Sequence, residues 1–193
     1  MNIIVLTGGT LGGKTTIINK LKNIYKDKII VIPEVSCILF EEEFKRPDVW
    51  SLEWHYSLQR GILKRQYELE EKAKDDAKEN GVKLILCDRG LLDPSAYLEE
   101  GLSELVREFG VNVRETLLRY NKVIHLVSLS VLNPDLYDKF VASNPHRIET
   151  VEEAKKQEAG SIQAWENHPD RIILTEDIDV NTRQIITIIE DYI

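Results

Sequence analysis

Apolar residues in this chain fall into two patterns, short continuous runs and longer stretches with helical spacing. Residues 2–6 form a β-branched run stopped by glycines, the mark of a strand buried on both faces. Runs at 29–32 (closed by Pro33), 82–87, 122–129 and 171–174 read the same way. Between them the period changes. Ile17, Ile18, Leu21 and Ile24 predict a helix over 15–25. Leu58, Ile62, Gln66, Leu69, Ala73 and Ala77 recur every three or four residues and predict one long helix over 52–80, with Asn80-Gly81 as its stop. Residues 91–120 carry helical segments broken near Gly101 and Gly110, and 151–167 and 182–192 predict two further helices. Residues 40–50 show no period and contain Pro47, so they read as a loop with at most a short helix, and 133–147 reads as a polar loop.

Wholly apolar strands separated by helices imply a parallel sheet covered on both faces. With 193 residues and neither repeat nor linker, the expected organisation is one three-layer α/β/α domain over 1–193, carrying a short lid-like segment around 133–150. Lys and Arg number 25 against 33 Asp and Glu, and the formal charge of −8 argues against a nucleic-acid partner. No apolar stretch approaches the roughly 20 residues that span a bilayer, so no membrane insertion is expected. Met1 leads directly into the first strand, which sets cytoplasmic as the expected location. Cys37 and Cys87 lie far apart in apolar runs and are expected to be buried free thiols. His55, His125, His146 and His168 show no metal spacing and receive no catalytic role.

The string Gly8-Gly9-Thr10-Leu11-Gly12-Gly13-Lys14-Thr15 satisfies the phosphate-loop pattern, and a strand precedes it and a helix follows, as the pattern requires. Glycines let the backbone curl so that successive N–H groups meet phosphate oxygens, and the helix start adds its positive dipole end. Lys14 reaches the β and γ phosphates in such a loop, the Thr15 hydroxyl ligates Mg²⁺, and Thr16 joins residues 8–15 as a nucleotide-binding position. ATP and Mg²⁺ are therefore the expected cofactors. The absence of an Asn-Lys-x-Asp guanine motif tilts the base choice to adenine.

The metal needs a carboxylate at the end of another strand, and Cys87-Asp88-Arg89-Gly90 closes the third one. Asp88 is read as holding Mg²⁺ through water or orienting the nucleophile and Arg89 as a phosphoryl contact on donor or acceptor, in preference to a self-paired surface turn, because ligands collect at the carboxyl ends of parallel strands. Pro33-Glu34-Val35 closes the second strand, where a carboxylate faces an acceptor hydroxyl or is merely solvated.

With these residues placed, the chain resembles the P-loop ATP-binding family related to the ribosylnicotinamide kinase domain and the TRPL translocation defect proteins. The similarity extends over nearly the whole chain through the phosphate loop, Pro33-Glu34-Val35, Arg65-Gln66, Asp88-Arg89-Gly90 with Asp93 and Ala96-Tyr97, then Arg147, Glu158, Trp165 and His168-Pro169. Thymidylate and deoxynucleoside kinases are more distantly similar. The resemblance implies a P-loop NTPase fold with a five-stranded parallel sheet ordered 2-3-1-4-5. It implies Glu34 as general base, Arg89 as a transition-state contact and Arg147 as part of a lid over the phosphates. Thr10 and Gly12 stand where the family often has Pro and Ser, and the lid offers Arg147 with Lys139 where such kinases bring several arginines.

Trp50, Trp54, His55, Tyr56 and Gln59 cluster where the resembled kinases build the acceptor pocket; aromatic packing of the long helix is the competing reading. Arg65 and Gln59 join Glu34 and Arg89 as acceptor-side residues. The expected activity is transfer of the ATP γ-phosphoryl to a nucleoside- or nucleotide-like small molecule. A slow NTPase or nucleotide-dependent switch acting on a protein partner, and a non-catalytic binding module, are the alternatives.

Overall fold

In the computed structural model, residues 1–45, 47, 49–142 and 149–193 are described. Strands β1 (Asn2–Thr7), β2 (Ile29–Ile32), β3 (Leu84–Asp88), β4 (Lys122–Leu126) and β5 (Arg171–Leu174) form a five-stranded sheet in the order β2-β3-β1-β4-β5. Every pairing is parallel. Side chains alternate across the pleat, so each strand feeds two cores. Ile4, Leu6, Leu84, Leu86, Ile124 and Leu126 pack against α1 (Lys14–Tyr25) and α9 (Ile178–Glu190). Ile3, Val5, Ile85, Cys87 and Val123 face the other layer, which includes Ala73 and Ala77 of α3 (Leu52–Asn80), Leu105 of α4 (Leu102–Phe109) and Trp165. These are the three layers and the strand order expected.

The helix boundaries follow from local chemistry. Helix α3 starts on Ser51, whose side chain accepts the Trp54 N–H, and ends on Gly81 at φ 68°, a left-handed stop that glycine takes without strain. The break at Gly110 works the same way, and α5 (Val113–Arg119) then restarts on an Asn112 cap. Helix α8 (Val151–Ala164) opens with a reciprocal capping box between Thr150 and Glu153.

Four expectations change. Val35–Glu42 is a helix, α2, although its pattern is short and starts directly after Pro33-Glu34. The polar loop expected over 133–147 is helical where described: α6 (Leu129–Leu132) leads into α7 (Pro134–Ala142), with Pro134 opening the helix and Asn133 Oδ1 accepting the Leu136 N–H. Ile24 is exposed, and Tyr25 closes the apolar face of α1 in its place. Cys37 is exposed, whereas Cys87 is buried. No described helix is long and apolar enough to cross a membrane.

Helix α8 lies tight against the 3-10 turn Asp93–Tyr97. A Cβ on Gly160 would come within 2.8 Å of Ala96 Cα and 3.3 Å of its carbonyl oxygen. Gly160→Ala gains up to about 1 kcal/mol of helix propensity, but the overpacking costs about 1–3 kcal/mol. The expected result is a net loss of stability, seen as a lower urea midpoint at unchanged slope.

Candidate functional site

Register decides the site. Leu6 of β1 pairs with Asp88 of β3, Thr7 pairs with His125 of β4, and Ile32 of β2 pairs with Cys87. The carboxyl ends of β1, β2 and β3 therefore stop level, and the phosphate loop, Glu34 and Asp88-Arg89 emerge side by side. A cleft of about 640 Å³ opens beside them, lined by Thr10, Leu11, Gly12, Gly13, Lys14, Thr15 and Thr16 together with Glu34, Arg89 and Asp93, while Asp88 lies beneath and outside that lining.

The loop earns its curl from left-handed positions at Gly8 (φ 127°), Leu11 (φ 59°) and Gly13 (φ 88°). A Cβ on Gly8 would sit 2.0 Å from the Leu126 carbonyl oxygen, so only glycine passes beside β4 there. Gly8 and Gly9 are buried beneath the loop, and 10–16 supplies its open face. Helix α1 begins at Lys14 with no side-chain cap, leaving its first N–H groups to point at the cleft.

Lys14 is buried, and its Nζ donates to the carbonyl oxygens of Gly8 at 2.7 Å and Gly9 at 2.8 Å. Burial first, then the neighbouring Arg89, pull its ammonium down to about 8 against the opposing fields of Glu34, Asp88 and Asp93.

Arg89 is the centre of the charged cluster. Its Nε donates to Glu34 Oε1 at 3.0 Å and its Nη1 donates to Gly8 O at 3.2 Å, with Asp93 Oδ1 3.6 Å away. Its backbone sits at φ 72°, a left-handed conformation that costs a long side chain energy. Two bonds hold it there: Arg89 N–H to Leu6 O at 3.0 Å, and Gln66 Nε2 to Arg89 O at 3.3 Å.

Glu34 and Asp88 are driven in opposite directions. Burial alone would raise the Glu34 carboxyl, but Arg89, Lys14 and the Ser36 hydroxyl override it and hold it at about 2. Burial and the Glu34 charge push Asp88 up to about 6, only partly offset by Lys14 and Arg89. Asp88 Oδ1 is buried and has no hydrogen-bond partner among the described residues.

Beyond the loop the cleft is lined by Phe40, Trp54, Leu58, Gln59, Ile62 and Tyr97, with Glu149 as a further carboxylate and no further Lys or Arg among the described lining residues. Gln59 is 3 % exposed and its Oε1 lacks a partner among the described residues. The aromatic cluster divides. Trp54 and His55 face the cleft, whereas Tyr56 donates to Glu104 at 2.6 Å and packs edge-on to Phe109 as part of the core. Trp50 is largely exposed. Arg65 stands outside the cleft lining and pairs with Glu42 at 3.7 Å. Arg147 falls outside the described residues.

Three contributors carry no role on pattern alone. Asp93 accepts from the Thr7 hydroxyl, from Gly90 N–H at 2.8 Å and from Trp165 Nε1 at 3.1 Å, so it anchors the turn that presents Arg89. Tyr97 lays its ring 5.8 Å from the Arg89 guanidinium. Glu158 reaches the loop from α8 and accepts Gly9 N–H at 2.6 Å. Asp93, Tyr97 and Glu158 all stand in the string that carries the family resemblance, the one signal in the sequence that marks them.

Among solved structures the chain is similar to deoxyadenosine kinase from M. mycoides with the products dCMP and a flexible dCDP bound. The TM-score is 0.62 at 15% identity, over 98% of this chain and 99% of that one. The same enzyme with bound dATP gives a TM-score of 0.62 at 14% identity, over 98% and 100% of the two chains. At these identities the likeness establishes the fold. Among curated proteins none matches. The family model described as AAA domain matches residues 3–183, and the chain belongs to that family.

Proposed function

We propose that the protein is an ATP-dependent kinase that phosphorylates a hydroxyl of an uncharged, nucleoside-type small molecule. The observation that carries the reading is the convergence on one cleft of the phosphate loop, the Glu34–Arg89 pair and the Gln59 Oε1 that lacks a partner among the described residues. The triphosphate lies on the open face of 10–16, where Lys14 leaves the Gly8 and Gly9 carbonyls for the β and γ phosphates. Arg89, at the far side of Gly8, contributes charge to the transferring phosphoryl. Thr15 and Asp88 would hold Mg²⁺; the orphaned Asp88 Oδ1 fits that role, and the ion supplies charge neutralisation when bound.

Glu34 accepts the acceptor hydroxyl's hydrogen bond and aims its oxygen. With its carboxyl held at about 2, it acts as an orienting acceptor more than as a strong base, which suits a loose phosphoryl transition state. The acceptor is read as uncharged because Arg89 is already paired with Glu34 and Asp93, and the rest of the described lining there adds no Lys or Arg and one carboxylate, Glu149, so nothing in it attracts a phosphate. A planar ring fits between Trp54, Phe40 and Tyr97, and the Gln59 amide meets a base edge offering both a donor and an acceptor. Arg147, placed by resemblance in the lid, supplies the further cation such a lid needs. The motif string shared with the ribosylnicotinamide-kinase-related branch supports the same reaction class.

Labelled ATP offered to a panel of nucleosides and their monophosphates tests the reading. Labelled product from a nucleoside and none from the monophosphates is the expected result; phosphate release without any labelled acceptor favours the slow NTPase instead. Gln59→Leu is expected to raise the acceptor KM about tenfold with kcat little changed, since it leaves a buried base edge unpaired. Glu34→Gln is expected to lower kcat by about 10²-fold or more while nucleotide affinity holds. The phosphates bind protonated Lys14, whose free value is about 8. ADP affinity measured in EDTA is therefore expected to fall by up to about tenfold per unit above that pH, and Lys14→Met removes that fall.

A further inference from the structure

Two sides of the phosphate loop are held differently. Residues 10–16 open to the cleft, while Gly8 and Gly9 are buried against β4 and α8. Ser128, just past β4, donates its hydroxyl to Thr10 O at 2.6 Å. Glu158, 2 % exposed, accepts Gly9 N–H through Oε2 at 2.6 Å, while its Oε1 lies 2.7 Å from His125 Nε2. His125 is fully buried on β4, and its Nδ1 has no partner among the described residues. The imidazole therefore presents its Nε2–H to the carboxylate.

A buried carboxylate so near an anion-binding loop repels the ligand that the loop is built for, and removing charge from water is costly in itself. Its compensation lies in geometry. The Gly9 N–H is turned away from the cleft and would be an orphaned buried donor without Glu158. Gly9 is glycine for the same reason: a Cβ there would lie 2.5 Å from Glu158 Oε2 and 3.0 Å from Ser128 Cβ. The adjacent Gln157 lines the cleft, so the same contact sets α8 relative to the site.

We propose that Glu158 is a positioning residue for the phosphate loop, pinning Gly9 from behind so that the loop's open-face N–H groups are set before a nucleotide arrives. Released, Gly9 must be ordered by the nucleotide instead, and ordering one residue costs on the order of tenfold in affinity. The inference rests on the reading that this loop binds nucleotide, but on no acceptor or turnover.

The test is ADP binding by calorimetry in EDTA, with the Gly9 amide followed by ¹H–¹⁵N spectroscopy. Glu158→Met keeps the volume and removes the acceptor; it is expected to weaken ADP on the order of tenfold and to move the Gly9 amide proton upfield. Glu158→Gln restores one oxygen to Gly9, with His125 taking the Nδ1–H tautomer, and is expected to recover affinity to within about threefold. A purely structural pair would lower thermal stability in both variants and leave ADP affinity alone. Wild-type affinity in Glu158→Met, or equal weakening in both variants, overturns the proposal. No ADP binding by the unmodified protein overturns the nucleotide reading and this inference with it. Should Glu158→Met fail to fold, the unmodified protein decides: slow exchange of the Gly9 amide without nucleotide supports the pin, and exchange at the rate of an exposed amide overturns it.

Discussion

A single guanidinium cross-links the ends of the strands on which the site is built. Arg89 bonds Glu34 beyond β2, the Gly8 carbonyl beyond β1 and, at longer range, Asp93 in the turn beyond β3. It does so from a left-handed backbone that only its neighbours enforce, with Gln66 of α3 and Leu6 of β1 each holding one of its peptide groups. Without that cross-link, half-buried Glu34 would lose its main counter-charge and the Asp93 turn one of its partners, and a charge left uncompensated away from water is costly.

The same charge cluster separates two carboxylates that begin with nearly equal chemistry. Glu34 receives Arg89 and the Ser36 hydroxyl and stays ionised, whereas Asp88 receives burial and the Glu34 field and is lifted towards neutrality. On the proposed reading such divergence divides labour between like groups, Glu34 orienting the acceptor hydroxyl and Asp88 holding the cation. Lys14 completes the arrangement by resting on loop carbonyls, a neutral parking place that keeps a buried ammonium satisfied.

On the α8 side the sheet face is unusually polar. Trp165 bonds Asp93 and stacks edge-on against Tyr120, whose hydroxyl donates to Glu70 at 2.8 Å. Arg119 pairs with the same Glu70, and Glu158 joins His125 to Gly9. Each group is held by a partner from a different element, so the network fixes the mutual placement of α3, α5, α8 and the loop more sharply than apolar packing would. Gly160 permits the close approach of α8 that this network needs.

How much of this was legible in the chain differs by scale. Strand runs, the ends of α3 and the phosphate loop could be read directly, because each rests on short-range chemistry: continuous apolar residues, a Ser cap, a left-handed glycine, a loop of glycines before a lysine. Helices α2 and α7 could not, since α2 is short and follows directly on Pro33-Glu34, and α7 is polar enough to pass for a loop. Glu34, Asp88 and Arg89 were visible as strand-end residues, yet their meeting depends on the register that places Leu6 beside Asp88 and Ile32 beside Cys87. Arg65 and Gln66 are adjacent in sequence, but the helix turns one outward to Glu42 and the other inward to Arg89. The sequence by itself determined the phosphate loop and the layers that carry it, because neighbours along the chain suffice to specify them. Only the tertiary structure decided which distant side chains close around that loop, Glu158 behind it and Glu34 with Arg89 before it, because those bonds join residues that only the packed sheet brings together.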